Sequence, residues 1–168
     1  MKERLENQRR HLSNRADPRA RVIADRHYNR QKVGAKQFFP PGCCLVLLTE
    51  AADALWITSW PFGQYVQHAW PGAWICTCFR NEGPSLSSEL IKEAVAATRA
   101  FYGAAPKQGF VTFVDAQKTR PKRDPGRCYR KAGWSKVGET QAGLVVLQLH
   151  PKDMPMALGA LPMIATPA

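Results

Sequence analysis

Four short segments hold the residue types best suited to chemistry. The first is Arg80-Asn81-Glu82-Gly83-Pro84-Ser85, which separates an apolar run from a helix beginning at Ser87 or Ser88. A loop there, with Gly83 free to take an unusual backbone angle, aims backbone N–H groups and the positive end of the helix at one point. Such a point binds phosphate or pyrophosphate. An ordinary strand-to-helix connection has the same spacing, so spacing alone leaves both readings open. The second segment is Cys128-Tyr129-Arg130-Lys131-Ala132-Gly133-Trp134, where a tyrosine O–H can give a proton to a leaving group or simply cap a core. The third is Val114-Asp115, a carboxylate at the end of an apolar run, suited to taking a proton from an amine. The fourth is Asp25-Arg26-His27-Tyr28, an imidazole beside a phenol on an amphipathic stretch; packing and ligation are both open to it.

The elements that must position these groups follow from hydrophobic pattern. Asp17-Pro18 reads as an N-cap with proline in the first turn, opening a helix through Val22, Ile23 and Tyr28. Residues 34–42 form a loop presenting Phe38 and Phe39. Residues 43–49, 54–60 and 73–80 are three strand-like runs, the first two joined by a hairpin-length turn. The clearest helix is capped by Ser87 or Ser88 and buries Leu90, Ile91, Ala94, Val95 and Thr98. Residues 110–115 are a fourth strand, 118–125 a basic loop and 127–132 a short helix. A final strand pair has 143–149 as its buried member. Residues 1–16 read as a basic arm, 17–150 as one domain and 151–168 as a loosely ordered tail rich in Pro, Met and Ala. The order predicts an α/β protein: a mixed, mostly antiparallel sheet with helices on both faces.

Charge points to a partner. The net charge is +11, and residues 1–36 and 116–136 each carry a net +7 on an otherwise slightly acidic chain. Two basic segments on such a body make a directional field suited to a polyanion; a merely solubilising surface is the alternative. Arg26, Arg30, Lys32, Lys36, Arg120, Lys122 and Arg123 are placed to contact phosphates. Phe38, Phe39, Trp60, Phe62 and Trp70 are placed to stack on a base, whereas Trp56, Trp74 and Trp134 read as core. The 5 cysteines form no C-x-x-C pair, which argues against a disulfide framework. No apolar stretch reaches the ~18–20 residues of a membrane span, and no secretory signal is visible. The expectation is a cytoplasmic protein with no membrane partner.

The strand order resembles that of the GNAT superfamily of N-acetyltransferases. The loop resembles its acyl-CoA pyrophosphate motif, [Q/R]-x-x-G-x-[G/A]: Arg80, Gly83 and the position of Ser85 match, while Ser85 replaces the small residue and Pro84 removes an N–H. Residues 128–134, followed by Gly138, resemble the superfamily's tyrosine-bearing short helix. A branch of that superfamily, the Mom-type DNA-modification proteins of bacteriophages, resembles the chain more specifically. His27-Tyr28, Cys78-Phe79-Arg80, Ser87-Ser88-Glu89, Val114-Asp115, and Tyr129 with Trp134 occur in that branch's order and span residues 25–140.

That resemblance implies modification of adenine in double-stranded DNA at its exocyclic N6 amine with a carbamoylmethyl-type group, which protects phage DNA from restriction. It implies Asp115, Tyr129, Ser88 and Arg80 as catalytic residues. Arg80, Asn81, Gly83, Ser85, Ser87 and Ser88 would bind acetyl-CoA or a related acyl donor, and His27 and Tyr28, with Asp115 and Tyr129, a possible iron. An imidazole–carboxylate–phenolate set suits a transition metal. A duplex base must also be extruded before its amine can react. Two other readings stay open: a conventional acyl-CoA-dependent N-acetyltransferase on a protein or small amine, and a non-catalytic nucleic-acid-binding protein. Oligomeric state is open, a homodimer included.

Overall fold

The computed structural model describes residues 10–39, 42–61, 68–119 and 124–165. Seven strands form one sheet: β1 (Arg10–Ser13), β2 (Cys44–Thr49), β3 (Ala54–Ser59), β4 (Trp74–Asn81), β5 (Phe110–Val114), β6 (Ser135–Glu139) and β7 (Val145–Leu149). Their spatial order is β1-β2-β3-β4-β5-β7-β6, and among these described strands β4 and β5 pair in parallel while the other neighbours are antiparallel. Among the described residues three helices flank it: α1 (Pro18–Asp25), α2 (Ser87–Tyr102) and α3 (Arg127–Lys131). The expected mixed sheet is therefore present.

Strict alternation along β2 and β3 splits their side chains between two cores. Leu45, Leu47 and Trp56 join Trp74, Phe110 and Trp134 under α2 and α3. Val46, Leu48, Leu55 and Ile57 pack instead with Ala20, Ile23 and Ala24 of α1. Burying both faces explains why these strands read as continuous apolar runs.

α1 begins as its sequence demands, with Asp17 accepting from the Arg19 N–H and proline in the first turn. It ends earlier than its apolar pattern implies. Arg26 is the C-cap, and the Arg26 and His27 N–H groups bond back to Ile23 and Ala24 in a tightened last turn. Tyr28 thus leaves the helix. α2 has Leu86, not a serine, at its N-cap, without a side-chain cap.

Three expectations change. Residues 10–13 are not arm or frayed helix but an edge strand paired with β2; the remainder of the arm, residues 1–9, lies outside the described residues. The C-terminal segment is not loose: a 3-10 turn (Pro151–Asp153) leads it back over α2, where the Leu158 N–H bonds the Ala96 carbonyl. Leu161 then exchanges backbone hydrogen bonds with Arg10 and Leu12, covering the open side of β1. Phe38, finally, does not sit on a presenting loop. It is 5% exposed in the α1-side core.

β1 also carries a buried charge. Arg10 is 2% exposed, its guanidinium lies 5.7 Å from the Phe79 ring, and burial pulls its pKa down to about 10 against the attraction of Glu93. It remains cationic at neutral pH. Among the described residues no helix is long and apolar enough to cross a membrane.

Candidate functional site: a cleft where β4 and β5 part

Parallel pairing between β4 and β5 covers only Trp74–Phe110, Ile75–Val111 and Cys76–Thr112. Beyond it both strands continue unpaired with each other, β4 to Asn81 and β5 to Val114. A bulge starts the divergence. Cys78 faces Ile57 and Cys76 faces Thr58, so Thr77 has no partner on β3. The extra residue reverses the faces of β4: Trp74 and Cys76 lie in the α2-side core, Cys78 in the α1-side core. Asn29 fixes the bulge by donating to the Thr77 carbonyl at 2.8 Å.

The opening is a cleft of about 490 Å³, lined among others by Tyr28, Thr77, Arg80, Asn81, Ser87 and Tyr129. Five elements meet there: the chain after α1, the far half of β4, the end of β5, the start of α2 and the start of α3. Tyr129 is buried, and its hydroxyl lies 3.4 Å from the Cys76 thiol. Burial pushes its phenol well above the usual tyrosine range, and the neighbouring Cys76 adds to this. It is a neutral O–H that can donate. Burial likewise pushes Cys78 up to about 12, so that neutral thiol is no ready nucleophile. Tyr28 is raised by burial too, opposed by a hydrogen bond from the Asp115 backbone. Its ring stacks on His27 at 4.5 Å.

The loop after β4 is organised by Asn81, whose side chain donates to the Ser85 carbonyl (2.7 Å) and the Ser87 hydroxyl (3.0 Å) and accepts from the Gly83 N–H (3.0 Å). Gly83 is not at a positive φ. It is required because a Cβ there would fall inside the Asp53 carboxylate, itself held by Thr49. The expected cluster of loop N–H donors is smaller than the sequence implies. The Glu82 N–H bonds Asp53, that of Gly83 bonds Asn81, and Pro84 has none. Among the described residues the Ser87 and Ser88 N–H groups, at the start of α2, have no acceptor. Of the two serines Ser87 lines the cleft, and Ser88 is buried away from it.

At the rim Glu82 sits between two arginines. Arg26 Nε donates to its Oε2 at 2.8 Å and Arg26 Nη2 to its Oε1, while Arg80 Nε donates to Oε2 at 2.7 Å. Arg26 chiefly, with Arg80, holds the Glu82 carboxyl down at about 2.

Other expected site residues lie elsewhere. The Asp115 carboxylate accepts from the Gln117 and Lys118 N–H groups, capping its own turn. Arg30 is bonded to Asp25 and to the carbonyls of Phe38 and Ala35, so it braces the 30–38 loop. With Lys32, Phe38 and Phe39 it borders a second cleft of about 520 Å³ behind Asn29, Thr77 and Cys78. Lys36 is exposed. Trp60 packs on Trp74 and Tyr102. Arg120, Lys122, Arg123 and Phe62 lie outside the described residues.

Of the residues expected to hold iron, His27, Tyr28 and Tyr129 line the cleft together, and the Asp115 backbone lies against Tyr28. The His27 Nδ1 is paired with Asn29, and the Asp115 Oδ1 accepts from backbone N–H groups of its own turn. Among the described residues no group of three His, Cys, Asp or Glu side chains is placed to bind a metal.

The sequence reading missed Asn29, Thr77 and Glu82. Only Glu82 left a trace, as an acidic residue inside an otherwise anion-attracting loop. Compared with family models, curated proteins and solved structures, the chain matches none of them.

Proposed function

We propose that the chain is a GNAT-like transferase of Mom type, using the β4–β5 cleft to bring an acyl-type donor to the N6 amine of adenine in duplex DNA. One observation carries the reading: the parallel pair parts at the Thr77 bulge, gathering Arg80, Asn81, Ser87 and Tyr129 on one opening. An extended donor such as acetyl-CoA fits between parted strands, its acyl group toward Thr77 and its phosphates toward the start of α2. There the Ser87 and Ser88 N–H groups and the helix dipole favour anions.

In the reaction the amine forms a bond to the donor carbon as the carbon–sulfur bond breaks. Tyr129, neutral and facing the cleft, protonates the departing thiolate. The proton lost by the amine restores the phenol, so charge balances. The Asp115 Oδ1 is held by the N–H groups of its own turn, and this scheme assigns Asp115 no step. No step requires a metal. Lys118 at the cleft and the exposed Lys32 and Lys36 supply positive charge toward the DNA backbone.

A second reading, acetylation of a protein or small amine, gains weight from how much basic charge is used internally. Arg19 pairs with Asp17, Arg26 with Glu82 and Arg30 with Asp25, while Arg10 is buried. Mass spectrometry of nucleosides from plasmid DNA of expressing cells separates the two. The proposal expects a modified adenosine that disappears in Tyr129→Phe. Unmodified adenosine, with acetyl transfer to amines by the purified protein, overturns it in favour of the second reading.

A further inference from the structure

We propose that Arg26 and Arg80 form a two-pronged phosphate clamp at the mouth of the cleft, and that Glu82 is its built-in occupant, displaced when a phosphoester binds. The inference deepens the proposed function and rests on its reading of the cleft as a ligand site.

The Glu82 carboxylate takes three hydrogen bonds from two guanidiniums that arrive from different elements, Arg26 from the end of α1 and Arg80 from β4. Both arginines line the cleft, and their side chains are 49% and 38% exposed. A pair so exposed contributes little to stability, so fold maintenance is a weak reason for two arginines to converge on one acid. Donors are left over. Among the described residues Arg80 uses only its Nε, and Arg26 leaves one Nη without an acceptor. Ser87, with its own unaccepted N–H, lines the same opening.

The geometry is that of phosphate recognition. Guanidinium forks match a tetrahedral oxyanion as well as a carboxylate, and a phosphoester can take more of their N–H groups than Glu82 does. With Glu82 in place the cluster carries a formal +1; with Glu82 withdrawn it presents +2. An incoming phosphate must therefore displace the acid or accept its repulsion, and ligands without a phosphate meet a closed clamp. Because Arg26 is the C-cap residue of α1, releasing Glu82 also removes one tie between the end of β4 and the turn that carries His27, Tyr28 and Asn29, while the Asn29–Thr77 hydrogen bond remains.

Glu82→Gln keeps the shape and removes the competing charge; Glu82→Ser removes it with a smaller side chain should the first variant fold poorly. Affinity for inorganic pyrophosphate, coenzyme A and a short DNA duplex is measured by calorimetry at fixed low salt, on variants whose melting confirms folding. Pyrophosphate affinity is expected to rise about fivefold, the ratio for one unit charge removed at ~4 Å in a water-like medium. It should fall below wild type when Arg80→Gln is added. A parallel rise for coenzyme A alone assigns the clamp to the donor, and one for the duplex alone to the DNA backbone. Unchanged or weaker pyrophosphate binding by both folded Glu82 variants overturns the clamp, even if DNA modification proceeds. A gain in pyrophosphate affinity without DNA modification leaves the clamp standing and removes the DNA reading.

Discussion

The two halves of the β4–β5 seam differ in pairing and in what they present. From Trp74 to Cys76 the strands are hydrogen-bonded, and rings crowd against one another: Trp74, Trp56 and Trp134 each lie 5.4–5.7 Å from Phe110 or Phe79. From Thr77 onward the strands part, and the same β4 presents hydroxyl, guanidinium and amide groups to a cleft. One bulged residue separates a dry half from a polar half. The closed half gives rigidity, and the open half offers unpaired edges and polar side chains to a ligand. Placing them on one strand lets packing at Trp74 fix the position of Arg80 six residues on.

The harshest way to break this contrast is to hollow the closed half. Trp56 is fully buried under α2, and Trp56→Ala should cost about 3–5 kcal/mol, read by urea unfolding, with loss of ligand binding as a consequence. An intermediate effect comes from the loop that closes the open half. Gly83→Ala drives a methyl into the Asp53 carboxylate, which cannot swing aside without losing its bond to Thr49. A destabilisation of about 1–3 kcal/mol is expected, relieved in part when Asp53→Ala is combined with it.

Tyr129→Phe should separate the two halves cleanly. It removes only the O–H beside Cys76, so stability should change by no more than about 1 kcal/mol while transfer activity is lost. The smallest effect concerns pH. The Glu82 carboxyl lies near 2, below its ordinary 4.5. A depressed acid stabilises the folded state above its unfolded pKa and loses that contribution as pH falls through the folded value. Acid unfolding between pH 4.5 and 2 should therefore be shallower in Glu82→Gln, with little difference at neutrality.

Much of the closed half was legible in the sequence. Leu90, Ile91, Ala94, Val95 and Thr98 repeat at helical spacing and all face the sheet, and the apolar runs of β2 to β5 became strands within one or two residues of their expected ends. Asp17-Pro18 was a complete cap signal. The edges were not legible. β1 is four residues long and sends an arginine inward, the reverse of what a hydrophobic pattern records. Its partner strand in the tail is a single bridge at Leu161, visible only once the chain ends meet.

The candidate site was legible in its residues and not in its geometry. Arg80, Asn81, Ser87, Tyr129 and Tyr28 could be named from type and position. Their meeting depends on a bulge at Thr77 and on where hydrogen bonding between two strands stops, neither of which leaves a compositional mark. Asp115 adds a local detail that spacing did not carry: its own following turn supplies two N–H groups to the carboxylate's Oδ1.

The most direct test of the open half as the ligand site is amide NMR of the isotopically labelled protein titrated with acetyl-CoA. The account predicts shifts concentrated at Thr77–Asn81, Ser87, Ser88 and Tyr129, with Trp74–Cys76 and Phe110–Thr112 nearly unmoved. Saturable shifts confined to another surface, or none at millimolar donor, would contradict it.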